Sequence, residues 1–239
     1  MSNLIIHGQE LAMDEAAHAY TWGGRFVPGV TSILKVLDKP ALMPWAIGVT
    51  RDYWLEQVNA GRTDFQKIHK ESWSATKKIT KDAANIGKNV HLYAECYFKK
   101  QPLPELLTDQ AKRAVDAFHD WLNEHKIEVL ASERMVFSKE FYYAGTCDLV
   151  ARVDGELCVG DIKTSSGIYH DMRFQTAAYQ HALQEEENIK YPSRLIIRFD
   201  KKTGEFEAKK FTNFDLDFQG FHAALNIHRT LQMIDQESA

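Results

Sequence analysis

The order of apolar and polar residues changes period along the chain. Residues 1–30 read as short strands and turns, with "YTWGGRFVPG" as punctuation. From about Thr31 to Lys126 the apolar positions mostly follow helical spacing, with breaks predicted at Pro40, Pro44, Gly61 and "QPLP" (101–104). At Ile127 the period falls to two. "IEVLASERMVF" (127–137) and "EFYYAGTCDLVARV" alternate like strands, and a further strand follows an Asp-Gly turn. Helical spacing returns over roughly Ile168 to Glu187. "SRLIIRF" and "EFEAKKF" then read as a strand pair around Thr203-Gly204, and an amphipathic helix runs from about Leu216 to Ile234. From residue 85 the order is therefore helix, three strands, helix, strand, with one more strand and helix appended. No repeat or low-complexity run interrupts it.

The turn at Asp154-Gly155 predicts a two-residue hairpin, because both central residues must reach positive φ. Val153 then faces Glu156, and the same register carried outward places Asp148 opposite Asp161. Like charges directly across a ladder are destabilising. Alternation puts Leu157, Val159, Asp161 and Lys163 on one face and Cys158, Gly160 and Ile162 on the other, so Lys163 points the same way as the two carboxylates. Two explanations stand. In one, the hairpin faces solvent and Lys163 neutralises an aspartate; in the other, the carboxylates hold a hard divalent cation such as Mg²⁺.

Two helical segments carry further candidates. On "DAANIGKNVHLYAECYF", Gly87, His91, Ala94, Glu95 and Phe98 share a face, which brings His91 towards the core as either a satisfied core residue or a ligand. Gln175 and Tyr179 lie one turn apart beside Ala178 and Ala182, small residues that permit close approach to a sheet. Polar groups on such a stripe need partners.

Composition narrows the classes. With 239 residues, 44% of them hydrophobic, the chain can bury one sizeable core. "MSNLIIHGQELAMDEAAHAY" has no basic start followed by a long apolar stretch, and no run of about 18 apolar residues occurs, so no membrane partner and a cytoplasmic location are expected. Cys96, Cys147 and Cys158 have no C-x₂-C spacing, which argues against a disulfide framework, a zinc ribbon and an iron–sulfur cluster. The formal charge of −4 argues against binding nucleic acid over the whole surface. Charge is uneven, however: between Gly61 and Val90 seven basic residues face three acidic ones. Phe65 and Trp73 lie within that segment and Trp45, Tyr53 and Trp54 just before it, so its cations, Lys77, Lys78, Lys81 and Lys88 among them, alternate with flat rings as single-stranded nucleic acid would require. The alternative is an ordinary solvated helix.

Taken together, these residues resemble the PD-(D/E)xK nuclease superfamily, in particular its RecB-like branch. "GKNVH" with Glu95 resembles the helix that supplies a metal-binding histidine, "YAGTCD" the G-x-x-D element, "VGDIKTS" the D-x-K element and "QTAAYQ" the Q-x-x-x-Y motif, all in the family's order. Glu133 in "ASERMVF" resembles an acidic position before the G-x-x-D strand. The match is strong over about residues 85–185; "HAYTWGGRFVPGVTSIL" is similar to the opening of phage exonucleases and of the mitochondrial genome maintenance exonuclease. The iron–sulfur members use four cysteines that this chain lacks.

The resemblance implies an α/β (α+β) fold with a restriction-endonuclease-like core, a central mixed sheet flanked by helices and a helical N-terminal insertion. Residues 1–84 would form strands and a clamp or arch, and residues 85–239 the nuclease core. His91, Asp148, Asp161 and the backbone carbonyl of Ile162 would hold one or two Mg²⁺ or Mn²⁺ ions. Asp148, Asp161 and Lys163 would be catalytic, with Lys163 orienting or helping to activate water. Gln175 and Tyr179 would bind the substrate backbone or support the site, with Glu95 and Glu133 as further supports. The expected activity is a metal-dependent DNA exonuclease acting on single strands from free ends, in a setting such as phage or bacterial DNA repair and recombination. The alternatives are a non-catalytic nucleic-acid binding module, a duplex endonuclease of the same superfamily, or a structural cation site.

Overall fold

The computed structural model describes residues 2–14, 19–40, 42–200 and 203–238, without the side chains of residues 2, 78–80, 82–84 and 86. Residues 2–14 and 19–27 contain a four-stranded antiparallel meander of β1 (Ser2–Ile6), β2 (Gln9–Asp14), β3 (Ala19–Trp22) and β4 (Arg25–Val27). A one-turn helix α1 (Val30–Ile33) and a 3₁₀ turn (Leu34–Val36) follow. Next come α2 (Leu42–Asn59), α3 (Phe65–Phe98) and α4 (Asp109–Glu124). The second sheet contains β5 (Ile127–Ser138), β6 (Tyr143–Val153), β7 (Glu156–Thr164), β8 (Ser193–Phe199) and β9 (Phe206–Phe211), in that spatial order. Helix α5 (His170–Glu187) joins β7 to β8, and α6 (Phe214–Glu237) ends the chain.

This second sheet is mixed because β7 and β8 are parallel while its other pairs are antiparallel. Parallel neighbours need a crossover, and α5 is that crossover. Both sheet faces are covered. Val150 and Val159 pack against Ala178, Tyr179 and Ala182 of α5 and against Phe221 and Leu225 of α6. On the other face Leu149, Ala151, Cys158 and Ile162 meet Val90, Ala94 and Phe98 of α3 and Phe118 of α4. The alternation expected for β7 is therefore a division between two cores. The N-terminal meander docks on the outer edge, where Trp22 stacks on Phe137 at 4.7 Å and Tyr20 and Thr146 hydroxyls lie 3.0 Å apart.

One helix boundary differs from expectation. Pro44 lies inside the first turn of α2 instead of breaking it, since that turn needs no amide donor there. Helix α3 runs unbroken for 34 residues, roughly 51 Å, between the breaks expected at Gly61 and "QPLP". Its C-terminal part is buried against the sheet; its N-terminal part pairs with α2. There Arg62 bridges Asp64 and Glu71, and Trp54 stacks on Phe65 at 6.0 Å. No described helix is long and apolar enough to cross a membrane.

Candidate functional site

The hairpin turns as its sequence requires, with Asp154 at φ 52° and Gly155 at φ 87°. Its register runs from Val153↔Glu156 to Leu149↔Gly160. Asp148 and Asp161 are the next residues, just beyond the last paired rung. There the Ile162 N–H donates to Asp148 Oδ2 at 2.6 Å, so a carboxylate completes the hydrogen bonding of β7 where the ladder stops. Lys163 Nζ forms an ion pair with Asp161 Oδ2, and His91 Nε2 on α3 lies 3.2 Å from Asp148 Oδ2. The strand end thus carries two buried carboxylates, each with its own cationic or ionisable neighbour.

A third carboxylate arrives from β5. Pairing of β5 with β6 holds at Ser132↔Leu149 and at Arg134↔Cys147 and skips Glu133, whose φ is 53°. Left-handed backbone is uncommon for a residue with a Cβ and costs of order 1–3 kcal/mol. The register is the same on both sides of Glu133 and shifts only between Val129 and Ala131, yet Ala131 and Val136 both face the α5–α6 layer, although an odd separation would put them on opposite faces. Glu133 is thereby turned inward, and candidate ligand atoms of His91, Glu133 and Asp148 all lie within 4.8 Å of one another. Asp161 stands outside that trio.

The trio suits a hard cation. Glu133 Oε1 is buried with no hydrogen-bond partner, whereas Asp161 Oδ2 is taken up by Lys163. Carboxylate oxygens with one imidazole match Mg²⁺ and Mn²⁺. Electrostatics agree. Burial lifts the Glu133 carboxyl to about 7, with Asp148 adding to the rise. Burial likewise lifts Asp161 to about 6, against the pull of Lys163. For His91, burial acts downward, but the hydrogen bond and charge of Asp148, with Glu133 and Asp161, outweigh it and raise the imidazole to about 9. Asp148 is held below the ordinary range: burial opposes this, and the His91 hydrogen bond overcomes it. Lys163 is raised despite its burial, through Asp161 and Asp148. Several groups crowded by negative charge, with the Glu133 acceptor unfilled, are arranged for something positive.

Two glycines let the elements approach. A Cβ on Gly87 would sit 2.5 Å from Thr164 Oγ1, so the absent side chain allows α3 to touch the end of β7. A Cβ on Gly145 would meet the Tyr179 ring at 2.4 Å, which couples the "YAGTCD" strand to α5. Gln175 and Tyr179 are both buried, and Gln175 Nε2 donates to Tyr179 Oη at 2.7 Å. Burial raises the Tyr179 phenol well above its usual range. Glu95 is half-buried and pairs with Lys99 at 2.5 Å; it shares a groove of about 510 Å³ with Gly87, Lys88, His91, Leu92 and Thr164.

Farther along α3, Trp73, Lys77, Lys81 and Lys88 are exposed, while the side chain of Lys78 lies outside the described residues. Sequence reasoning did not single out Thr164, nor Asp171 at the start of α5. Asp171 acts on Lys163 and pairs with Lys39 at 3.0 Å. Thr164 sits within "VGDIKTS" just after the D-x-K residues, and no short motif marks Asp171. Cys96, Cys147 and Cys158 are free and buried.

Comparison with known proteins bears on the whole arrangement. No curated protein matches the sequence. Among solved structures, a candidate exonuclease from Eubacterium rectale is similar at 11% identity and a TM-score of 0.38, over 60% of this chain and 68% of that one. The family model for the PD-(D/E)XK nuclease superfamily matches residues 54–237, which include α3, the second sheet, α5 and α6. By that match over most of its length, the chain belongs to the PD-(D/E)XK nuclease superfamily.

Proposed function

We propose that this protein is a metal-dependent DNA exonuclease of the RecB-like branch, acting on single-stranded DNA from free ends. The observation that carries the reading is the convergence of His91, Glu133 and Asp148 beside the Asp161–Lys163 pair, with a buried Glu133 oxygen left unfilled. Asp148, Asp161 and His91 would hold one or two Mg²⁺ or Mn²⁺ ions, joined by Glu133 and by the backbone carbonyl of Ile162. Such ions polarise a phosphodiester, lower the pKa of bound water and stabilise the leaving oxygen.

The remaining work falls to the chain itself. Lys163 is raised above its ordinary range, so it is protonated at neutral pH and positions water through hydrogen-bond donation. The same charge offsets negative charge that accumulates on the phosphoryl oxygens in the transition state. Tyr179, raised by burial, stays a neutral donor, and Gln175 fixes its hydroxyl at 2.7 Å; the pair supports the site or contacts the substrate backbone. Glu95 borders the groove and tunes Glu133 by its charge. Residues 1–84 would serve the core of residues 85–239 as a clamp, and a clamp closed over one strand favours entry from an end.

The test is degradation of end-labelled linear single-stranded DNA with Mg²⁺, Mn²⁺ or EDTA, by wild type and Lys163→Ala in parallel. Metal-dependent product from wild type and almost none from the variant is expected. Equal cleavage of circular single strands would contradict end-dependence, and equal activity of the variant would remove Lys163 from the mechanism.

A further inference from the structure

Helix α3 joins two places that otherwise have little in common. Its C-terminal part holds His91 in the groove beneath the sheet end, and its N-terminal part stands on α2. Because the helix is continuous, positions along it keep a fixed angular relation. At about 100° per residue, Lys70, Trp73, Lys77, Lys81, Lys88 and His91 fall within an arc of roughly 80°. Glu71 and position 82, which is Asp, fall roughly 160–180° from His91, on the other side.

The packing agrees with this division. Ile68 and Ser72, on the far side, are fully buried, and Glu71 is tied to Arg62 at 2.7 Å. The arc itself is left open. Trp73 is 69% exposed, and the four lysines on the arc are exposed and without an ion pair among the described residues. Lys88 lines the same groove as His91, so the stripe leads into the site.

We propose that this single face of α3 is the track along which a nucleic-acid strand reaches the His91 groove, with Trp73 as a base-stacking platform at its outer end. The proposal rests on the nuclease reading for what happens at the groove, and on charge and continuity for the track. A positive groove following the backbone with an aromatic for a base is the recurring solution for single strands. The helix also sets a length. Trp73 and His91 are eighteen residues apart, roughly 27 Å along the axis. At about 3.4 Å per stacked nucleotide that spans roughly eight nucleotides. Shorter strands seated in the groove do not reach Trp73.

The test measures binding of oligo(dT) of about 4 and about 16 nucleotides in EDTA, the shorter by competition, for wild type, Trp73→Ala, Trp73→Phe and the double variant Lys77→Ala/Lys81→Ala. Trp73→Ala is expected to weaken the long strand about 5- to 150-fold and leave the short one unchanged, with Trp73→Phe restoring most of the loss. The double lysine variant is expected to lower the log–log salt slope by about 1.4, whereas Lys67→Ala, off the arc, leaves it unchanged. Loss at both lengths alike, or no loss at either, overturns the track, as does an unchanged slope in the double variant. Cleavage of the same strands by wild type with Mn²⁺ reports separately on the nuclease reading: cleavage with an unaffected Trp73→Ala removes the track alone, and length-dependent binding without cleavage removes the chemistry alone.

Discussion

Two clusters in this molecule contain the same kinds of ligand. His91, Glu133 and Asp148 meet at the open end of the β6–β7 hairpin; His181, Glu140 and Glu185 meet between α5 and the turn that joins β5 to β6. By residue type either could hold a metal ion. Their hydrogen bonds separate them. Glu185 accepts from Ser138 Oγ at 2.8 Å, from the Lys139 N–H at 2.9 Å and from the Glu140 N–H at 3.1 Å, so both of its oxygens are occupied in tying down the turn. Glu133 Oε1 is buried and has no partner. The two histidines diverge as well. His91 is raised to about 9, because its carboxylate neighbours outweigh burial. His181 is lowered: burial dominates over Glu185 and Glu140, and its ring stacks on Phe218 at 4.3 Å. What marks a site is unfilled bonding capacity in a buried place, more than the presence of ligand types.

The largest effect that could break this comparison is on activity. Asp148→Asn removes one negative charge from the trio and weakens its link to His91, and a loss of cleavage rate on the order of 10²-fold or more is expected. Glu185→Gln is expected to stay within a few-fold of wild type in the same assay. A reversed ranking would mean that the wrong cluster has been assigned to the chemistry.

Stability should rank the clusters the other way. Glu185→Ala leaves the buried Ser138 hydroxyl without its acceptor, a cost of about 1–3 kcal/mol in unfolding free energy. Denaturant unfolding would show it, and a midpoint equal to wild type would show that water replaces the carboxylate at no cost.

The smallest effect is a pH dependence. His181 has a depressed folded-state pKa, so the unfolded chain takes up its proton more readily. Its contribution to stability is present above the unfolded value of about 6.5 and is lost as pH falls towards the folded value. Over that window wild type should lose stability more steeply than His181→Gln. Parallel curves would contradict the assignment.

Much of this arrangement could be read before any coordinates. Asp154-Gly155 specifies a turn with two positive φ angles, and the register follows from it as far as Leu149↔Gly160. Helical spacing around His91 and Tyr179 placed both on sheet-facing stripes, because a buried helix face leaves its period in the sequence. Glu133 shows where this reading stops. Glycine or asparagine would have announced a left-handed residue, but here the tertiary contacts impose it on a glutamate, and local sequence contains no trace of that. The unbroken length of α3 was legible, because Gly61 reads as a break while Gly87 falls on the helical face of His91. Gly61 has a φ of 80° in a turn, and Gly87 is helical and small only to admit Thr164. Pro44 misled, since a proline that would break a helix interior is harmless in its first turn.

The most direct measurement is Mn²⁺ binding followed by electron paramagnetic resonance of the free ion, with wild type, Asp148→Asn and Glu185→Gln compared at one pH. Binding by wild type and by Glu185→Gln, and its loss in Asp148→Asn, is the result predicted for a metal centre at His91, Glu133 and Asp148. Undiminished binding by Asp148→Asn together with loss in Glu185→Gln would contradict it and move the metal to the other cluster.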